Sequence, residues 1–381
     1  MPNNHPQCKL CNSNQSVDWS KPIAAIAREH EISRSSVQRH RKHDLEDVDS
    51  FFSELPNSII TSRGKSVRLE DGSWEKVSWS PGKKALLESL EYDDLEKALE
   101  DYKPLDLYTA RTKIQACGDT MVILPADFQV GKHDERGGTT ELIARVRKSL
   151  DLIEERVVRE APAEIVVADL GDIIENFYNT SSQRETNDVH LTEQIRIARR
   201  LILEILKRLS YYCVDITYVA VPSNHATVRV GPKSPAASPD NDFGLEISYQ
   251  IEDVLKDRPG FEGVKFVRPS KWEEAVTVET RDGTVLGFVH GHQTKSHDKI
   301  GDWWKGQDHG RRSNLHKADI LFVGHWHSFR VQQSGDGRWV IVAPSSDGGS
   351  SWFANLSGET SMSGILHIRV RNGGWLDPQI A

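Results

Sequence analysis

The chain is short of cysteine and of long apolar runs, and each shortage excludes a class of protein. Four cysteines in 381 residues, Cys8, Cys11, Cys117 and Cys213, are too few and too unevenly placed for a disulfide framework. No apolar stretch approaches the roughly 18 residues a membrane-spanning helix needs. The opening MPNNHPQCKLC also lacks a charged-then-apolar leader. A soluble cytoplasmic protein with no membrane partner is therefore expected. Nor does one sign of charge dominate: 48 basic against 56 acidic side chains leave a formal −8, so the chain is not a polycation and any contact with nucleic acid must be local. An apolar fraction of 37% with 27% charged residues excludes wholesale disorder. At roughly 150 residues per domain, the length predicts about two to three units.

Residues 1–48 form the first. Between Lys21 and His43 there are six basic and two acidic residues, a local excess of positive charge. The stretch PIAAIAREHEISRSSVQRHRKH repeats small and apolar positions at helical spacing, breaks at Ile32–Ser33 and restarts behind Ser33 as a cap, the pattern of a helix-turn-helix. Its second helix would offer Arg34, Ser35, Ser36, Gln38 and Arg39, with Arg41 beyond, to DNA phosphates and base edges. Cys8-x-x-Cys11 and His40-x-x-His43 have the pairwise spacing of a tetrahedral structural Zn²⁺ site. A module this small buries too little apolar surface to fold unaided, so a metal staple has a physical role. The alternative is two chance thiols and two histidines of a basic patch. The segment resembles the zinc-stapled helix-turn-helix modules that precede enzymatic domains in some bacteriophage proteins. That resemblance implies a phage-encoded product working in a bacterial cytoplasm. Dimerisation would suit a helix-turn-helix.

Residues 49–115 read as a connector. SVRLEDGSWEKVSW predicts a hairpin around Asp71-Gly72, and KKALLESLEYDDLEKALEDY predicts an acidic amphipathic helix serving as a spacer. Over 116–381 the pattern changes to short β-branched strands alternating with long amphipathic helices, an α/β domain. Strands are predicted at Thr120–Pro125, Glu164–Asp169, Ile216–Val221, Thr284–His290 and Asp319–Val323, with helices over 139–158, 187–209 and 242–256.

Each strand runs into a polar cluster: Asp127-Phe128-Gln129, Gly171-Asp172, Asn224-His225, His290-Gly291-His292 and Gly324-His325-Trp326-His327. Strand ends are where open α/β sheets gather their ligand sites. Seven of the 15 histidines fall between His290 and His327. Imidazole, carboxylate and amide donors suit Mn²⁺, Fe or Zn²⁺, and there are too many of them for one metal. His297, His309 and His316 read as solvated or core histidines.

The ordered set D-x-Q, GD, NH, H and GHxH resembles the calcineurin-like metallophosphoesterases from Thr120 almost to the end. The resemblance implies two packed β-sheets flanked by helices, with two divalent metals, Mn first and Fe, Zn or Mg as alternatives. Carried over position by position, Asp127, Gln129, Asp172 and His327 would hold one metal. Asp172, Asn224, His290 and His325 would hold the other. A hydroxide bridging two such cations attacks phosphorus in line, and His225 corresponds to the catalytic general acid. Asp169 could orient a ligand from behind. Gln129 departs from the histidine usual at its position, so the first site either uses the amide or borrows His133. The second site takes either His290 or His292.

The family spans several substrate classes, so the substrate must be read elsewhere. The basic amino-terminal module and KSHDKIGDWWKGQDHGRRS, where Trp303 and Trp304 could stack bases, favour a DNA exo- or endonuclease. A phosphatase or phosphodiesterase on a small or protein substrate is the first alternative, and a DNA-binding regulator with a decayed site the second. The tryptophan pair could equally pack a lid over the core.

Overall fold

The computed structural model describes residues 63–68, 74–79 and 118–381, other than 178–182, 214, 230–237, 312, 350, 352–353, 356–357 and 359. All of them belong to the second of the chain's two units, Thr61–Ala381. The expected zinc ligands Cys8, Cys11, His40 and His43, the expected DNA contacts Arg34, Ser35, Ser36, Gln38, Arg39 and Arg41, Cys117 and the acidic helix over 83–102 lie outside the described residues.

The hairpin expected before the α/β region is present. Strand β1 (Arg63–Arg68) pairs antiparallel with β2 (Trp74–Trp79), Arg68 opposite Trp74. From Thr120 onward, two sheets form.

In the first sheet β3 (Thr120–Leu124), β4 (Glu164–Asp169), β5 (Ile216–Ala220) and β6 (Val264–Val267) run parallel. Each crossover carries a helix: α1 (Thr139–Glu160), α2 (Leu191–Ser210) and α3 (Phe243–Leu255). The second sheet contains β7 (Ala275–Glu279), β8 (Val285–Val289), β9 (Ile320–Val323), β10 (Arg330–Gln333) and β11 (Trp339–Val342), in the order β10-β11-β9-β8-β7. Helix α4 (Ile300–Gly310) lies between β8 and β9 in the chain. Strands β12 (Leu366–Arg371) and β13 (Gly374–Ile380) return to the first sheet beside β3, both antiparallel to their neighbours.

The period-2 alternation of side chains decides the layering. Met121 and Ile123 turn to one side of β3, into a core shared with α1, α2 and α3. Val122 and Leu124 turn to the other, where they meet Val166 and Val219 from their own sheet and Phe288, Ile320 and Phe322 from the second. The rings of Phe288 and Phe322 stack at 5.6 Å in this seam. On the far side of the second sheet, Ile300, Trp304 and Leu315 cover Leu321, Val323 and Val340. The order is therefore helix, sheet, sheet, helix, the two packed sheets flanked by helices that the resemblance implied. Strands buried on both faces read as continuous apolar runs, which is why β3, β4, β5, β8 and β9 were visible in the sequence.

Candidate metal centre

The five polar clusters leave their strands at one rim, where hydrogen bonds from backbone and side chains tie the loops together. The Asp127 amide donates to the Gly171 carbonyl at 3.1 Å, and the Gln129 amide to the Asp172 carbonyl at 2.8 Å. The His325 amide donates to both Asp127 carboxylate oxygens, at 3.2 and 3.0 Å. Asp127, Gln129, Asp172, His325 and His327 all have φ between 45° and 67°, and they make up five of the eleven non-glycine residues in that left-handed region among the described residues. Such conformations cost of order 1–3 kcal/mol each and gather where function requires them.

The glycines of the GD and GH pairs have a steric cause. Gly171 has φ +92°, and a Cβ there would fall 2.6 Å from the Ser223 Cβ and 2.9 Å from His290 Nδ1. A Cβ on Gly324 would meet an Asp127 carboxylate oxygen at 3.0 Å and the Leu170 carbonyl at 3.1 Å.

One half of the centre is built on Asp172. His290 is fully buried, and its Nδ1 lies 2.7 Å from the Leu170 carbonyl, which assigns the ring proton to that nitrogen. Nε2 then faces Asp172 Oδ2 at 3.1 Å and Asn224 Oδ1 at 2.9 Å. Three lone-pair donors pointed at one another require a positive charge between them. Burial opposes protonation of His290, but the Asp172 carboxylate outweighs it and lifts the ring to about 9. Burial would raise Asp172, yet His290 and His225 hold it well below the usual carboxylate range. A cation is the natural replacement for that proton. Asp172, His290 and His325 each bring a ligand atom within 4.8 Å of the others. Burial, then the charge of His290, pushes His325 down to about 4, so its nitrogens are free to bind.

The alternative ligand His292 sits differently. Its Nε2 lies 3.9 Å from a Glu274 oxygen and its side chain is partly exposed, with the pKa lowered to about 4 by burial and then by His290.

The other half is built on Asp127, whose Oδ1 is 3.3 Å from His327 Nε2. Gln129 is buried, and its amide oxygen accepts from Lys132 Nζ at 2.8 Å. Lys132 also forms an ion pair with the buried Asp347, whose Oδ1 lies 3.9 Å from His327 Nδ1. His133 is exposed.

His225 spans the edge of the Asp172 half. Its amide donates to Asp172 Oδ1 at 2.8 Å, and its Nε2 stands 3.8 Å from Asp172 Oδ2. Nδ1 meets the Glu175 carboxylate at 3.2 Å and the Glu175 carbonyl at 3.1 Å. Burial disfavours its charge, but Asp172 and Glu175 override that and lift the ring to about 10, so it carries a proton at neutral pH.

Two buried aspartates act through the backbone. Asp169 accepts from the Gly171 amide at 2.9 Å, fixing the turn that presents Asp172. Asp242 caps α3 through the Gly244 and Leu245 amides and takes the Ser223 amide at 3.0 Å, next to Asn224. Burial raises both to about 7.

A cavity of about 430 Å³ opens beside Asn224 and His292, walled by Arg229, Trp272, Trp303 and Gln307. Trp272 is 63% exposed, the most open aromatic side chain among the described residues. The tryptophan pair divides: Trp303 lines the cavity, whereas Trp304 is buried and donates from Nε1 to the Leu315 carbonyl at 2.9 Å. Base stacking is thus excluded for Trp304, which packs the core. His309 is exposed and His316 bonds to the Ser313 carbonyl, as expected of histidines outside the centre.

Sequence reasoning passed over Lys132, Glu175, Asp242 and Asp347. Asp347 had a usable signal, since it follows the apolar strand β11 as the other polar clusters follow theirs.

No family model matches the chain, and no curated protein matches it. Among solved structures it is similar to Vps29 from Chaetomium thermophilum, at 12% identity and a TM-score of 0.29, covering 66% of this chain and 85% of that one. That likeness is too slight to bear on chemistry. None of the helices among the described residues is long and apolar enough to cross a membrane.

Proposed function

We propose that the chain is a metal-dependent phosphodiester hydrolase of the calcineurin-like metallophosphoesterase type, acting on DNA. The observation that carries this reading is the double engagement of Asp172, with one oxygen 3.1 Å from His290 Nε2 and the other accepting from the His225 amide at 2.8 Å. A single carboxylate joins the cluster suited to a cation with a histidine that holds a proton. The donor set fits a divalent metal: His290 Nε2, Asp172, Asn224 Oδ1 and His325 converge, and with Nδ1 donating to the Leu170 carbonyl it is Nε2 whose proton a cation would displace.

A divalent cation there polarises phosphate oxygens and lowers the pKa of water. The chain's own residues do the rest. Glu175, 3.2 Å from Nδ1, favours the protonated ring of His225, and His225 gives its Nε2 proton to the leaving oxygen as a water attacks phosphorus from the opposite side and releases its own proton to solvent. The loops hold this geometry rigidly through the Asp127 to Gly171 and Gln129 to Asp172 hydrogen bonds, so little reorganisation is needed during the reaction.

Support for DNA comes from the basic stretch between Lys21 and His43, with Cys8, Cys11, His40 and His43 as its zinc ligands, and from the tryptophan-walled cavity beside Asn224. The test is hydrolysis of labelled single- and double-stranded DNA with Mn²⁺, beside mono- and bis-nitrophenyl phosphate, by wild type and Asp172→Ala. DNA cleavage that is lost in the variant supports the reading. Hydrolysis confined to the small esters keeps the metal chemistry and overturns DNA as substrate, and no hydrolysis of any ester overturns both.

A further inference from the structure

Two-metal chemistry would place a cation among Asp127, Gln129 and His327, yet a cation is already built in beside them. Lys132 Nζ lies 2.8 Å from Gln129 Oε1 and pairs with Asp347, and Asp347 reaches His327 Nδ1 at 3.9 Å. The lysine side chain is 16% exposed and the Asp347 side chain 4%, so little water screens this charge. A neutral amide oxygen binds first-row metals less tightly than imidazole does, and this one is taken up by an ammonium. A second cation a few ångströms away would meet repulsion from the first. The Asp172 half contrasts with this, since Asp172, His290 and His325 form a group of three ligand atoms within 4.8 Å.

We propose that Lys132 supplies the positive charge of the Asp127 half, so that the chain holds one divalent cation, in the Asp172 half. This inference rests on the metal-dependent reading above and refines it. It also accounts for Gln129, because an amide oxygen there satisfies an ammonium donor without competing for metal.

The test is titration of the full chain with Mn²⁺, reading the free ion by its EPR signal. Mn²⁺ prefers oxygen-rich donors, so the Cys8, Cys11, His40 and His43 set does not enter the count. The expected result is one Mn²⁺ per chain for wild type and for Lys132→Arg, and two for Lys132→Met, the added site at least about tenfold tighter than any second uptake by wild type. Because Lys132→Met strands the buried Asp347 carboxylate, the double variant Lys132→Met/Asp347→Asn is titrated too, with the same two ions expected. Two comparable Mn²⁺ sites on wild type overturn the inference and leave the hydrolase reading standing. One Mn²⁺ on every variant also overturns it, because the lysine is then not what excludes the second ion. No uptake by wild type overturns the inference together with the metal-dependent reading.

Discussion

His225 is tied to Asp172 twice, through its amide at 2.8 Å to Oδ1 and through its ring, with Nε2 3.8 Å from Oδ2. The backbone tie survives truncation of the ring, so the two substitutions separate cleanly. His225→Ala is expected to keep metal uptake while cleavage of labelled DNA, whose alkoxide leaving group needs a proton, drops by roughly 10²–10⁴-fold. Asp172→Ala loses both uptake and turnover. Metal titration beside steady-state kinetics checks the pair, and unchanged turnover in His225→Ala removes that residue from catalysis.

The cavity wall gives a second expectation. Trp272 is open to solvent, with Lys271 Nζ 5.3 Å above its ring, a surface fitted to stack a base beside a phosphate. Trp272→Ala is expected to raise KM for a short single-stranded oligonucleotide by roughly 5–150-fold, since one stacked base is worth about 1–3 kcal/mol. Turnover of mono-nitrophenyl phosphate and metal uptake stay near wild type. An unchanged KM excludes Trp272 as a stacking surface.

Strain at the rim is measurable by comparing two truncations of one residue. His325 sits at φ 67°, where a Cβ costs roughly 1–2 kcal/mol and a glycine little. His325→Gly and His325→Ala both remove the imidazole, so their difference isolates the backbone. The glycine variant is expected to be the more stable by about 1 kcal/mol in chemical denaturation. Equal stabilities show that the loop relaxes without cost.

A pH dependence follows from β12, away from the rim. His367 is buried, and Arg156 donates to its Nδ1 at 3.1 Å, so the neutral ring is the one that fits. Burial, then Arg156 and Arg159, push it down to about 3, below its ordinary 6.5. The unfolded chain therefore binds this proton more readily than the folded one between those values. The contribution is fully present above about pH 6.5 and is lost as pH falls toward 3. His367→Gln is expected to flatten the stability profile across that window by up to one proton, about 1.4 kcal/mol per pH unit. Denaturant titrations at pH 7, 6 and 5 check it, and parallel profiles for variant and wild type exclude His367.

The strands carrying the centre were legible because they are buried on both faces. Those predicted at Thr120–Pro125, Glu164–Asp169 and Ile216–Val221 fall within one residue of β3, β4 and β5. Strands with a wet face were not read: β10, Arg-Val-Gln-Gln, is largely exposed, and β6 is only half-buried. The candidate ligands could be named because each follows an apolar run. Lys132 and Glu175 could not, because a charged residue in a loop takes its meaning from a partner far along the chain, here Asp347 and His225. The tryptophan pair shows the same limit, since adjacent residues on one helix face opposite environments and only packing tells which is which.

The donors are divided between the sheets. Asp127, Asp172 and Asn224 follow strands of the first, while His290, His325 and His327 follow strands of the second. Neither sheet carries a complete set, so the centre cannot exist until the two have docked, and a cation bound there would act as a rivet across their seam. Its binding energy adds to the resistance of that seam to opening, rising with free metal as RT ln(1 + [M]/Kd). Chelation would then do more than silence the site: it would remove a fastener between the two sheets, and stability would fall with it.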